Sequence, residues 1–126
     1  MSGISHVSVG VNDLARAKAF YDPLMRIVGL RIRQADGESV DYGTDDALSY
    51  SLETPVDGGP ATAGNGVHIA FDAGDQDTVN RFYREALRLG GRDAGAPGLR
   101  PEYGPTYYGA FVLDPDGNKI EAVTGM

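Results

Sequence analysis

The two histidines of this chain sit in two matching apolar runs, Ile4-Ser5-His6-Val7-Ser8-Val9 and Gly66-Val67-His68-Ile69-Ala70-Phe71, 62 residues apart. The offset holds beyond the histidines: Phe20-Tyr21 matches Phe82-Tyr83, Leu24 matches Ala86, Gly29 matches Gly91, and Arg31 matches Asp93. Self-similarity at a fixed offset marks a duplicated supersecondary unit. Two copies are too few for a solenoid, so a closed two-module domain with pseudo-twofold symmetry is expected. The 126 residues suit one domain over 1–126, with module one at 3–53, a linker at 54–65 and module two at 66–124.

Each module reads as a strand, a helix and three further strands. From Ser5 to Val11, His6, Ser8 and Gly10 alternate with Val7, Val9 and Val11, the period of a strand with unlike faces. Asn12 or Asp13 can cap a helix whose stripe is Leu14, Ala17, Phe20-Tyr21, Leu24 and Val28. Pro23 is expected to kink it, and Gly29 to close it. Strands follow over 30–34, 40–43 and 47–53, the first two joined by an Asp36-Gly37 hairpin turn. The segment 54–65, rich in Pro, Gly and small residues, is the linker. Module two repeats the order, with a strand over 67–72 and a helix capped by Asp75 or Asp77. Its stripe is Val79, Phe82-Tyr83, Ala86 and Leu89. Residues 94–105 depart from the first half and are expected to form a lid or pocket rim. Strands over 107–113 and 119–124 flank the turn Asp114-Pro115-Asp116-Gly117. The fold class is therefore α+β, two β-α-β-β-β modules forming a curved mixed sheet cup.

Charge and composition narrow the partners. A net charge of −7 argues against a nucleic-acid binder, which shows a basic face. The absence of cysteine removes any disulfide framework or thiolate metal site. No signal peptide and no run near 18 apolar residues is visible, so a cytoplasmic protein is expected, without membrane contact. The linker is short enough that the halves pack together or exchange with a second chain, and a homodimer acting on a small molecule is expected.

Three residues could hold a metal. Neutral imidazole is the commonest protein metal ligand, and histidines at equivalent places in two modules would meet across the pseudo-twofold axis. Glu121, between Ile120 and Ala122, points away from those apolar neighbours. His6, His68 and Glu121 make two imidazoles and a carboxylate, a facial set for divalent metals with open positions. Fe, Mn, Ni, Co and Zn all suit it. The duller alternative is a hydrogen-bonded structural histidine at each strand start and a solvated edge glutamate. Two histidines at one repeat phase speak for the metal.

These residues resemble the vicinal oxygen chelate superfamily, which includes glyoxalase I, extradiol dioxygenases, bleomycin-resistance proteins and methylmalonyl-CoA epimerase. The resemblance spans 4–124. It rests on Ser5-His6-Val7, Asn12-Asp13-Leu14 with Phe20-Tyr21, Gly66 to Phe71, and most specifically Phe111-Val112-Leu113-Asp114-Pro115-Asp116-Gly117-Asn118-Lys119-Ile120-Glu121. It implies a glyoxalase-like fold whose sheets curl around a divalent metal held by His6, His68 and Glu121. Two neighbouring substrate oxygens would complete the coordination, in a lyase, isomerase or ring-cleaving dioxygenase. Glyoxalase I-like members carry a fourth, carboxylate ligand. Aligning the turn 114–117 with 43–46 puts Tyr50 in that place, facing the substrate, and Glu53 on the other side of its strand. A phenol titrating near pH 10 is no ready base. Glu102 and Tyr103 in the lid are candidate acid or base groups, Tyr108 a candidate pocket wall, and Arg100 a candidate carboxylate binder. The competing reading is a bleomycin-resistance-type protein that sequesters a small molecule without turnover.

Overall fold

The computed structural model describes residues 3–126. Module one runs β1 (Val7–Gly10), α1 (Leu14–Ile27), β2 (Arg31–Ala35), β3 (Ser39–Gly43) and β4 (Leu48–Glu53). Module two runs β5 (His68–Asp72), α2 (Gln76–Arg88), β6 (Arg92–Leu99), β7 (Tyr108–Leu113) and β8 (Lys119–Thr124). The sheets have the orders β1-β4-β3-β2 and β5-β8-β7-β6. In each, the first strand lies parallel to the fourth and the other pairings are antiparallel. The fold is α+β, two β-α-β-β-β modules with one mixed sheet apiece.

Local chemistry explains the helix limits. Asp13 is the N-cap of α1, accepting from the Arg16 N–H at 3.0 Å, and Asp75 caps α2 by accepting from Thr78 N–H at 2.8 Å. Gly29, at φ 85°, leaves α1 in the left-handed conformation that glycine adopts without a Cβ penalty. Pro23 does not end the helix, which continues to Ile27.

Alternation then sorts the strand residues onto two faces. Val40, Tyr42, Tyr50 and Leu52 of the first sheet, and Phe71, Ala110, Val112, Ile120 and Ala122 of the second, turn toward the helices. With Ala17, Phe20, Tyr21, Leu24 and Met25 of α1 and Val79, Phe82 and Ala86 of α2 they form one core across both modules. Each fully buried large apolar side chain adds roughly 1.5–3 kcal/mol. The Tyr50 and Phe71 rings meet edge to face at 4.9 Å, one from each sheet. Asp116, in the β7–β8 turn, accepts from Asn12 N–H and from Arg16 Nη2, both at 3.0 Å. Because both helix-bearing faces are spent on this common core, the opposite faces of the two sheets point outward.

The segment expected to be a lid from residue 94 is strand up to Leu99; only 100–107 turns over at the end of the sheet. Its glycines enter as bulges at 93–95 and 95–98, and β6 is an edge strand, so Pro97 has a free edge for its missing N–H. No helix among the described residues is long and apolar enough to cross a membrane.

Candidate functional site

The outward face of the second sheet carries a hollow of about 790 Å³ whose lining includes His68, Arg100, Glu102, Tyr103, Tyr107, Phe111, Lys119 and Glu121. Strand register brings them together. His68 pairs with Lys119 and Ala70 with Glu121 across β5–β8, while Phe111 pairs with Glu121 across β7–β8, so His68, Lys119, Glu121 and Phe111 share one face.

Glu121 is the centre of this face. Its side chain is 0% exposed. Oε1 lies 3.1 Å from His68 Nε2, and Oε2 accepts from the Tyr107 hydroxyl at 2.5 Å. Burial and the hydrogen bond to Glu121 push the Tyr107 phenol up to about 12. The bare backbone of Gly109 makes the room: a Cβ there would stand 2.7 Å from Glu121 Oε2 and 3.3 Å from the Tyr107 ring. His68 is half open, its side chain 46% exposed. Glu102 and Tyr103 stand exposed on the turn at the rim, Tyr103 packing edge-on to Tyr107 at 5.2 Å.

His6 does not join this pair within one chain. It immediately precedes β1, with Nδ1 2.9 Å from Ser5 Oγ, and lines a groove with Ser49, His68 and Ala70. Among the described residues no three His, Cys, Asp or Glu side chains come close enough to share a metal ion. Of the expected set His6, His68 and Glu121, one chain by itself brings together His68 and Glu121, with His6 on the first sheet. The shared core occupies the helix side of each sheet and leaves the faces that carry His6 and Glu121 turned outward.

Two tyrosines also move. Tyr50 is not opposite Glu121 and does not face the hollow; it is fully buried on the helix side, donating to the Tyr21 hydroxyl at 2.9 Å. The equivalent of the Ala70–Glu121 pair is Ser8–Ser51. Ser51, rather than Tyr50, therefore stands in the position equivalent to Glu121, and its hydroxyl donates to Asp41 at 2.7 Å. Glu53 shares the face of Ser51, two residues on. Burial first, with Asp41 and Asp36 adding to it, raises its carboxyl above the usual range. Tyr108 likewise turns to the helix side, where its hydroxyl donates to Asn80 at 2.7 Å. Tyr107, its neighbour, lines the hollow instead. Counting by twos back from Phe111 through Gly109 reaches Tyr107, the alternation signal that identifies it.

A model of the Glyoxalase/Bleomycin resistance protein/Dioxygenase superfamily matches residues 3–122. The structure of a glyoxalase/bleomycin resistance protein from Albidiferax ferrireducens T118 is similar at 36% identity and TM-score 0.89, covering 99% of this chain and 100% of that one. A glyoxalase-related enzyme from Fulvimarina pelagi shares the fold at 18% identity and TM-score 0.75, over 99% of this chain and 89% of that one. Lactoylglutathione lyase from Agrobacterium tumefaciens does so at 23% identity and TM-score 0.67, over 99% and 95%. No curated protein matches the chain. With a family match over nearly its whole length and a buried carboxylate beside an imidazole where the two modules' registers correspond, the chain belongs to the glyoxalase/bleomycin resistance protein/dioxygenase superfamily.

Proposed function

We propose that this protein is a metal-dependent enzyme acting on a small substrate with adjacent oxygens, and that it works as a homodimer. One observation carries the reading: Glu121, wholly buried, meets His68 Nε2 at 3.1 Å at the edge of an open hollow. A buried carboxylate is costly without a compensating positive partner, and a carboxylate with a half-open imidazole is the donor chemistry of divalent-metal sites.

His68 and Glu121 are two donors of such a site, and His6 supplies the third when the outward face of one copy's first sheet covers the second sheet of another. The hydrogen-bonding of His6 Nδ1 to Ser5 leaves Nε2 for that purpose. The metal when bound supplies Lewis-acid stabilisation of negative charge developing on substrate oxygens. The chain's own groups do the rest. Tyr107 fixes the Glu121 carboxylate in place, Arg100 contacts substrate, and Glu102 and Tyr103 stand on the rim as acid–base candidates. At the position equivalent to Glu121 the first sheet carries the Ser51 hydroxyl, and the carboxylates of Asp41 and Glu53 stand on the same face.

Elemental analysis of the purified, tag-free protein tests this. Near-stoichiometric divalent metal in the parent, lost in His68→Ala and in Glu121→Gln, is the expected result. A metal-free parent that binds a bulky aromatic compound tightly without turnover would establish sequestration instead.

A further inference from the structure

The hollow holds two cations that the metal reading leaves unused. Several basic side chains here are answered by carboxylates, as in Arg16–Asp116, Lys18–Asp22, Arg31–Asp45 and Arg88–Glu85. Among the described residues neither Arg100 nor Lys119 has a carboxylate at ion-pair distance. They converge on one aromatic ring instead, Lys119 Nζ at 5.0 Å and Arg100 Cζ at 5.6 Å from the Phe111 centroid. The carboxylate of Glu121 is engaged by His68 and Tyr107, and Glu102 stands on the exposed rim.

The guanidinium is also seated. Arg100 Nη2 donates to the Ala96 carbonyl at 2.7 Å. Two glycines of β6 leave the space it occupies: a Cβ on Gly95 would stand 3.3 Å from Nη2, and one on Gly98 would stand 3.1 Å from Nη1. A guanidinium has five N–H donors in a fixed fork, so with one given to Ala96 the others remain for a ligand. Pre-organisation of this kind lowers the ordering cost of binding.

We infer that Arg100 and Lys119, gathered on the Phe111 ring, form an anion clamp that selects small carboxylates, with Lys119 as a specificity-determining residue. This rests on the reading of the hollow as the substrate site and adds the charge class of the substrate. Charge-assisted hydrogen bonds are about twice as strong as neutral ones, so the clamp discriminates by charge where shape is shared.

The probes are 2-hydroxybenzoate and 2-hydroxybenzamide, which share a ring and neighbouring oxygens and differ in charge. Their affinities for the full chain are measured by calorimetry, with the metal content of every sample determined. The carboxylate is expected to bind at least about tenfold tighter than the amide. Lys119→Met, at an exposed position, and Arg100→Met each lower that preference by at least about threefold, leaving metal content and the circular dichroism spectrum unchanged. Gly98→Ala, which crowds the guanidinium, lowers it in the same direction. Equal affinities in the parent, no binding of either probe, or a preference that survives both cation substitutions overturns the clamp. A clamp that works in a metal-free parent overturns the metal reading alone, and a metal-loaded parent without charge preference overturns the clamp alone.

Discussion

Tyr21 of the first module donates its hydroxyl to Asp114 of the second at 2.6 Å, deep in the core that both modules share. Tyr50 donates in turn to Tyr21, and Asp114 also accepts from the backbone N–H groups of Asp116 and Asn118 and from Asn118 Nδ2. One chain of hydroxyls thus joins α1, β4 and the β7–β8 turn. Tyr21→Phe removes a hydrogen bond to a buried carboxylate and is expected to cost about 2 kcal/mol in urea unfolding; Tyr50→Phe, which removes a neutral bond, costs about 1 kcal/mol.

The same chain is expected to contribute to a loss of stability at alkaline pH. Burial foremost, then the Tyr50 and Asp114 neighbours, hold the Tyr21 phenol well above its usual value, and burial raises Tyr50 as well. A raised phenol binds its proton more tightly in the folded state than in the unfolded state. The stabilisation is therefore complete below the unfolded value near pH 10 and is lost as pH rises beyond it. Unfolding monitored from pH 8 to 12 should show stability falling above about pH 10, with tyrosinate absorbance from the buried rings appearing together with unfolding. The Tyr21→Phe/Tyr50→Phe double variant should fall less steeply.

Gly109 tests whether the buried carboxylate needs its seat. In Gly109→Ala the new methyl group meets Glu121 Oε2 at 2.7 Å and has the Ala122 carbonyl behind it at 3.5 Å. Overpacking of this kind costs roughly 1–3 kcal/mol, and it displaces the carboxylate that faces His68. The expected outcome is a folded protein, by circular dichroism, with a lowered melting temperature and reduced metal content.

Pairing between copies has its own measurement. If a metal site takes His6 from one chain and His68 with Glu121 from another, His6→Ala and His68→Ala proteins are each metal-poor. Co-refolding them in equal amounts produces mixed dimers in which one of two sites is intact. With random pairing, roughly a quarter of the parent's metal returns. No recovery in a demonstrated mixed dimer places all three donors in one chain.

Much of this architecture is readable along the chain because its signals are local. The period of two in Val7–Gly10 and Lys119–Thr124, the stripe through Ala17, Phe20, Tyr21 and Leu24, and the caps at Asp13 and Asp75 depend on neighbours a few residues away. The repeat phase that pairs His6 with His68, and the parity that turns Glu121 away from Ile120 and Ala122, belong to the same class. Pairing register and the packing of one module on the other are not local. A bulge in β3–β4 beside Tyr42 places Ser51, rather than Tyr50, in the position equivalent to Glu121. The glycines of 95–98 read as loop until an edge-strand partner absorbs them as bulges. Amino-acid order by itself determined two β-α-β-β-β units and a histidine–carboxylate pair on the second. Only the tertiary structure decided that the helix faces share a core, that His6 lines a groove with His68 without closing on the His68–Glu121 pair, and that Tyr107, Lys119 and Arg100 gather around that pair. Which sheet faces meet depends on contacts between residues far apart in the chain, and no spacing along it encodes them.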